Sequence, residues 1–212
     1  GYTDSKSEGT VIGLFKDGVK VDELSGEGDL ILSKTCFYAE SGGQCADTGK
    51  VYNDTFKADV TNVIKAPHKQ ALHHLENVEG TIRVGDVFTG EYDYAKRQLT
   101  RANHSSLHLL QEALREVLGD HIVQAGSYNC PEYARFDFTH FEKPSEEQLN
   151  EVERIVNEHI SDAYPVVTEV MSIDEAKKTG ATALFDEKYG DTVRVVTMGP
   201  SKEFCGGTHA SN

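Results

Sequence analysis

Residues 10–24 read TVIGLFKDGVKVDEL, and how that stretch is punctuated decides the fold of the N-terminal half. Apolar and β-branched residues flank Asp17-Gly18, a pair suited to the left-handed backbone of a two-residue hairpin turn. The pattern repeats outward, in GDLILSKTCFY at 28–38, GKVYN at 49–53, ADVTNVIKA at 58–66 and TIRVGDVFTGEYD at 81–93. Glu27-Gly28 is a second turn signal. Short antiparallel strands joined by tight turns over residues 1–92 predict a small β-barrel-like domain.

Beyond that half the period changes. Leu107, Leu110, Leu114, Val117 and Leu118 recur at three and four, the stripe of an amphipathic helix over 94–118 with Gly119 as its stop. A second helix is expected from Ser145 to about Ala163, with a serine cap, acids in the first turn and a stripe of Leu149, Val152, Ile155, Val156 and Ile160. ARFDFTHF, VVTEVMS and TVRVVTM alternate as strands, and IDEAKKTG reads as a short helix. Residues 93–212 therefore read as an α+β sandwich domain with helices on one face of a sheet, and the chain as α+β.

Composition narrows the function classes. Among 212 residues, Lys plus Arg number 21 and Asp plus Glu 35, a formal charge of −14. That acidity argues against gripping a long stretch of nucleic acid by its phosphates, but not against holding one end. No apolar window approaches membrane-spanning length, and GYTDSKSEGT at the start has neither the basic nor the apolar region of a signal peptide, so a cytoplasmic location is expected. Cys36, Cys45, Cys130 and Cys205 are too few and scattered for a disulfide framework.

His104 and His108, four apart on the first long helix, project from one face. Cys205 and His209 frame Cys-Gly-Gly-Thr-His. One sulfur and three imidazoles suit tetrahedral Zn2+; a capped and an exposed histidine is the alternative. His68, His73 and His74 read as solvated or strand-edge residues, while His121, His140 and His159 stand singly. Cys36, Cys45 and Cys130 read as small buried hydrophobes. Gly42, Gly43 and Gln44 lie in a glycine-rich stretch that either admits a ligand or turns a hairpin corner. Gln124 and Ser127 are neutral hydrogen-bonders on a turn, able to orient a water or ester oxygen or to cap a strand.

FYAESGGQCADTG at 37–49, RANHSSLHLLQEALREVLGDHIVQAGS at 101–127, ARFDFTHF at 134–141, GATALFDEKYGDTVRVVTMG at 180–199 and SKEFCGGTH at 201–209 together resemble the editing domain of alanyl-tRNA synthetase. Free-standing trans-editing proteins and the second additional domain of threonyl-tRNA synthetase share this module. The resemblance implies a deacylase of seryl- and glycyl-tRNA(Ala). His104, His108, Cys205 and His209 fall on the family's zinc ligands, Gln124 and Ser127 on polar pocket residues, and Gly42, Gly43 and Gln44 on its glycine-rich motif. Leu107 replaces a threonine implicated in recognising serine. Asp186 stands where the family often has glycine, and Cys45-Ala46 where it often has valine and glycine. The implied partners are the aminoacylated 3′ end of tRNA(Ala) and the rest of a synthetase from which this chain is a fragment, with neither DNA nor membrane. The rival expectation is a zinc-stabilised module that binds the tRNA end or a protein without turnover.

Overall fold

Asp17 and Gly18 adopt φ of 50° and 77°, and the two residues they join, Lys16 and Val19, face each other across a hairpin. In this computed structural model, which describes residues 2–183 and 189–212, the hairpin links β1 (Lys6–Lys16) to β2 (Val19–Val21). The strands β3 (Glu23–Leu24), β4 (Gly28–Leu32), β5 (Gly49–Tyr52), β6 (Lys57–Lys65), β7 (Ala71–Glu79), β8 (Ile82–Arg83) and β9 (Val87–Tyr92) follow. The order β1-β4-β7-β6-β5-β9 returns to β1, so six antiparallel strands close into a barrel that leaves β2 outside on β1. Alternation sends Val11, Leu30, Val51, Val60, Leu75 and Phe88 inward, all fully buried in one core.

Glycine works at the barrel seam, where β5 meets β9: a Cβ on Gly49 would lie 2.1 Å from the Glu91 carbonyl oxygen. Gly28 departs from the turn expected of it. It begins β4 opposite Leu75, and a side chain there would meet the Phe15 carbonyl oxygen at 2.6 Å, so close packing and not a turn requires it.

Contacts divide the chain into two units, one ending at Leu99 and one starting at Thr100, a division that falls within α1 (Tyr94–Leu118). In the second unit β10 (Gln124–Asn129) and β11 (Ala134–Phe138) form a hairpin. Then come α2 (Glu146–Asp162), β12 (Val166–Ser172), α3 (Ile173–Lys178), β13 (Thr192–Met198) and β14 (Ser201–Phe204). Ser145 caps α2 in a reciprocal box with Gln148, as its sequence suggested. Among the described residues this unit has two sheets where one was expected, β10-β11 and β12-β13-β14. Ala113 and Leu114 of α1 pack with Val152 and Ile155 of α2 and with Phe136 and Phe138 of β11. Leu109 of α1 packs on Val196 and Met198 of β13. No described helix is long and apolar enough to cross a membrane.

Candidate metal centre

The i, i+4 spacing sets His104 and His108 on one face of α1, their ring centroids 5.2 Å apart. Period-two alternation along β14 and into the following residue puts Glu203 and Cys205 on a common face. The packing of Leu109 on β13 holds that sheet against α1, with Cys205 at the edge of the same apolar cluster. Neither Gly206 nor Gly207 needs a left-handed backbone. Arg194 instead fixes the loop, donating to the carbonyl oxygens of Cys205 and Gly207, and so returns His209 to the site.

His104, His108, Cys205 and His209 each present one ligand atom, all within 4.8 Å of one another. Cys205 Sγ lies 3.4 Å from His104 Nε2 and 3.2 Å from His209 Nε2. Tetrahedral zinc, with its bonds of about 2.3 Å to sulfur and about 2.0 Å to nitrogen, sets such atoms roughly 3.5 Å apart. The residues therefore fit the ion in donor type and spacing.

Outer contacts orient the rings. His104 Nδ1 donates to the Thr208 carbonyl oxygen at 3.1 Å, and His209 Nδ1 meets Ser105 Oγ at 3.1 Å, both leaving Nε2 for a ligand bond. Ser105 Oγ also accepts the Ala210 N–H. His108 Nδ1 lies 2.5 Å from Glu203 Oε2, an ion-pair contact that closes no hydrogen bond of regular geometry. Burial works against a Cys205 thiolate, yet hydrogen bonds from His104, His108 and His209 outweigh it and bring the thiol well below its ordinary range. Burial, reinforced by the charges of His104 and His108, pushes His209 down, over the opposing contact with Cys205. A deprotonated sulfur and a neutral ring are the states a cation requires.

Gln124 and Ser127 lie on β10 and not on a turn. A bulge between Gln124 and Gly126 shifts the register, so two residues that would face opposite ways share a side, and Gln124 Nε2 donates to Ser127 Oγ at 3.0 Å. Leu107 is buried on α1. In the first unit Gly42 and Gly43, with φ of 58° and 81°, form the tip of a two-residue turn closed by reciprocal Ser41–Gln44 backbone bonds, and the Gln44 side chain is buried. Asp186 lies outside the described residues.

Two readings are corrected, that of His73 and that of His121 with His140, while His74 keeps its solvated place and gains acidic partners. His73 is fully buried in the barrel and not at a wet edge: Nδ1 donates to the Leu30 carbonyl oxygen, and Nε2 accepts from Thr35 Oγ1. His74 pairs with Asp29 at 2.9 Å and Glu27 at 3.1 Å, which raises its pKa. His121 and His140 do not stand singly; they stack and share a 2.7 Å contact. Sequence reasoning passed over Glu203. It also missed the buried Arg97–Asp47 ion pair, which ties the loop before β5 to the first turn of α1.

Comparison with known proteins identifies relatives of the chain. Residues 1–96 match a family model described as tRNA synthetases class II (A). The chain is 44% identical to alanine–tRNA ligase of Alkaliphilus oremlandii and 47% identical to that of Carboxydothermus hydrogenoformans, each over all of this chain. It is 45% identical to the Rhodopseudomonas palustris enzyme over 99% of its length. This chain belongs to the alanine–tRNA ligase family. It spans about a quarter of the length of the relatives it matches. His104, His108, Cys205 and His209 all lie beyond residues 1–96, in the second unit, whereas the more exposed group of Glu27, His74 and Glu76 lies in the first.

Proposed function

We propose that this domain edits, hydrolysing the ester that joins a wrong amino acid, serine or glycine, to the 3′ end of tRNA(Ala). The convergence of His104, His108, Cys205 and His209 carries the reading. An alanine-selecting pocket cannot exclude glycine by size, and it rejects an added hydroxyl by only about a hundredfold, so a second, hydrolytic sieve has work to do. These four residues would hold Zn2+, which when bound supplies Lewis-acid polarisation and structural closure.

The chain's own donors do the rest. Because Ser127 Oγ accepts from Gln124, its own proton is left to donate toward a developing oxyanion, and Gln124 keeps a second amide N–H for the same purpose. An aminoacyl ester is already activated, so water attacks without a protein nucleophile. Leu107, on the helix that carries His104 and His108, contacts the substrate in this reading. The net charge of −14 limits contact to the single-stranded tRNA end, with the rest of a synthetase supplying phosphate affinity.

One observation favours a second reading. Four protein ligands leave no open position, as in structural zinc sites, which suits a non-catalytic module that binds the tRNA end or a protein. Metal content and seryl-tRNA(Ala) deacylation, measured together on wild type and His104→Ala, test the proposal. Editing requires turnover by catalytic amounts of wild type and loss of both metal and activity in the variant. Protection of the ester by wild type supports the binding module, and equal activity in two metal-free proteins removes the metal from the mechanism.

A further inference from the structure

Glu203 is a carboxylate in the wrong place unless something positive sits beside it. Its side chain is 8% exposed, and such groups are almost never buried unpaired. Oε2 has an ion-pair contact with His108 Nδ1, the sole such partner of Glu203 among the described residues. Oε1 is buried with no hydrogen-bond partner. Glu112 adds to the problem: its carboxyl is pushed up by burial and then by the negative charge of Glu203, over the smaller opposing charges of Arg115 and His108.

The outer contacts of the three rings are unequal. His104 leans on a backbone carbonyl oxygen and His209 on a hydroxyl, and among the described residues His108 is the one of the three with an ion-pair contact to a carboxylate. Formal charge gives the reason. One thiolate and three neutral imidazoles around a dication leave a formal charge of +1, buried with the ligands. Adding Glu203 brings the set to zero.

We propose that Glu203 is a positioning residue of the metal centre: its buried carboxylate sets the orientation of the His108 ring and neutralises the dication held by His104, His108, Cys205 and His209. The inference rests on the metal reading of those four side chains. A carboxylate behind a ligating imidazole raises its basicity and fixes which nitrogen faces the ion, and losing such a partner weakens binding by about 10- to 100-fold.

The test uses the 212-residue chain stripped of metal, as wild type, Glu203→Gln and Glu203→Asp. Zn2+ affinity is read by competition with a chromophoric chelator, and Co2+ absorption reports the ligand set. Glu203→Gln keeps the size but not the charge, so Zn2+ should bind 10- to 100-fold more weakly while the Co2+ spectrum still shows one sulfur and tetrahedral geometry. Glu203→Asp keeps the charge and should bind more tightly than Glu203→Gln, which also covers the case of Glu203→Gln failing to fold. Wild-type affinity in folded Glu203→Gln, or a Glu203→Asp protein no tighter than Glu203→Gln, overturns the proposal while leaving the metal site standing. A wild type that takes up neither Zn2+ nor Co2+ overturns the metal reading, and this inference with it.

Discussion

Removing the Asp47 carboxylate should unfasten the glycine-rich loop from the helix that follows the barrel. The Arg97 side chain is 0% exposed and that of Asp47 7% exposed. Arg97 Nε donates to both Asp47 oxygens at 3.1 Å, Nη2 donates to the Cys36 carbonyl oxygen at 3.0 Å, and the guanidinium lies 3.7 Å from the centroid of the Tyr92 ring. Asp47 Oδ2 also accepts the Tyr38 N–H at 2.7 Å, so one carboxylate ties both ends of the loop. In Asp47→Ala the guanidinium cannot shed its proton, and the contacts with Cys36 and Tyr92, already present in wild type, offset nothing. Breaking a buried pair from one side costs about 3–5 kcal/mol, a third or more of the roughly 5–15 kcal/mol that holds a typical domain. Urea denaturation should report that loss, and hydrogen exchange should show the Tyr38 amide unprotected. The double variant Asp47→Ala with Arg97→Met should recover part of the loss, because the buried positive charge is removed together with the carboxylate that balanced it. A loss below about 1 kcal/mol with the Tyr38 amide still protected would refute the assignment of this pair as the clasp of the loop.

Burial lowers the His73 pKa, over a smaller opposing effect of its bond to Leu30. The unfolded chain takes up a proton near pH 6.5 that the folded barrel refuses, so His73 makes stability fall with decreasing pH below that value, by up to about 1.4 kcal/mol per pH unit. Urea midpoints at pH 7.5 and 5.5 should show this loss in wild type and a smaller one in His73→Asn; equal losses would contradict it. Gly49→Ala places a Cβ 2.1 Å from the Glu91 oxygen at the seam and should cost about 1–3 kcal/mol or more, read as a lowered thermal midpoint. Ser145→Ala removes one side of the α2 capping box and should cost about 1 kcal/mol in the second unit, seen as faster amide exchange at Gln148.

The features legible in the sequence are those that depend on residues near one another in the chain. Asp17-Gly18 announces its hairpin because the required backbone is one few residues accept, and α1 and α2 announce themselves because a helix repeats its stripe every few residues. The His104–His108 pair on α1 is legible for the same reason, since a four-residue step is also a helical turn. Glu203 and Arg97 are different. Their roles come from partners 95 and 50 residues away, and no local pattern sets one buried acid or arginine apart from the many solvated ones. The β10 bulge hides likewise: strict alternation would send Gln124 and Ser127 to opposite faces, and only the pairing of Gln124 with Phe138 and of Gly126 with Asp137 brings them together. Gly28 shows the ambiguity at a single residue, because the lack of a side chain serves a turn and a close approach equally well and the neighbouring carbonyl of Phe15 decides between them. Local rules thus placed His104 and His108 on one helix and Cys205 and His209 about two glycines, and long-range packing brought the four together and set Glu203 beside them.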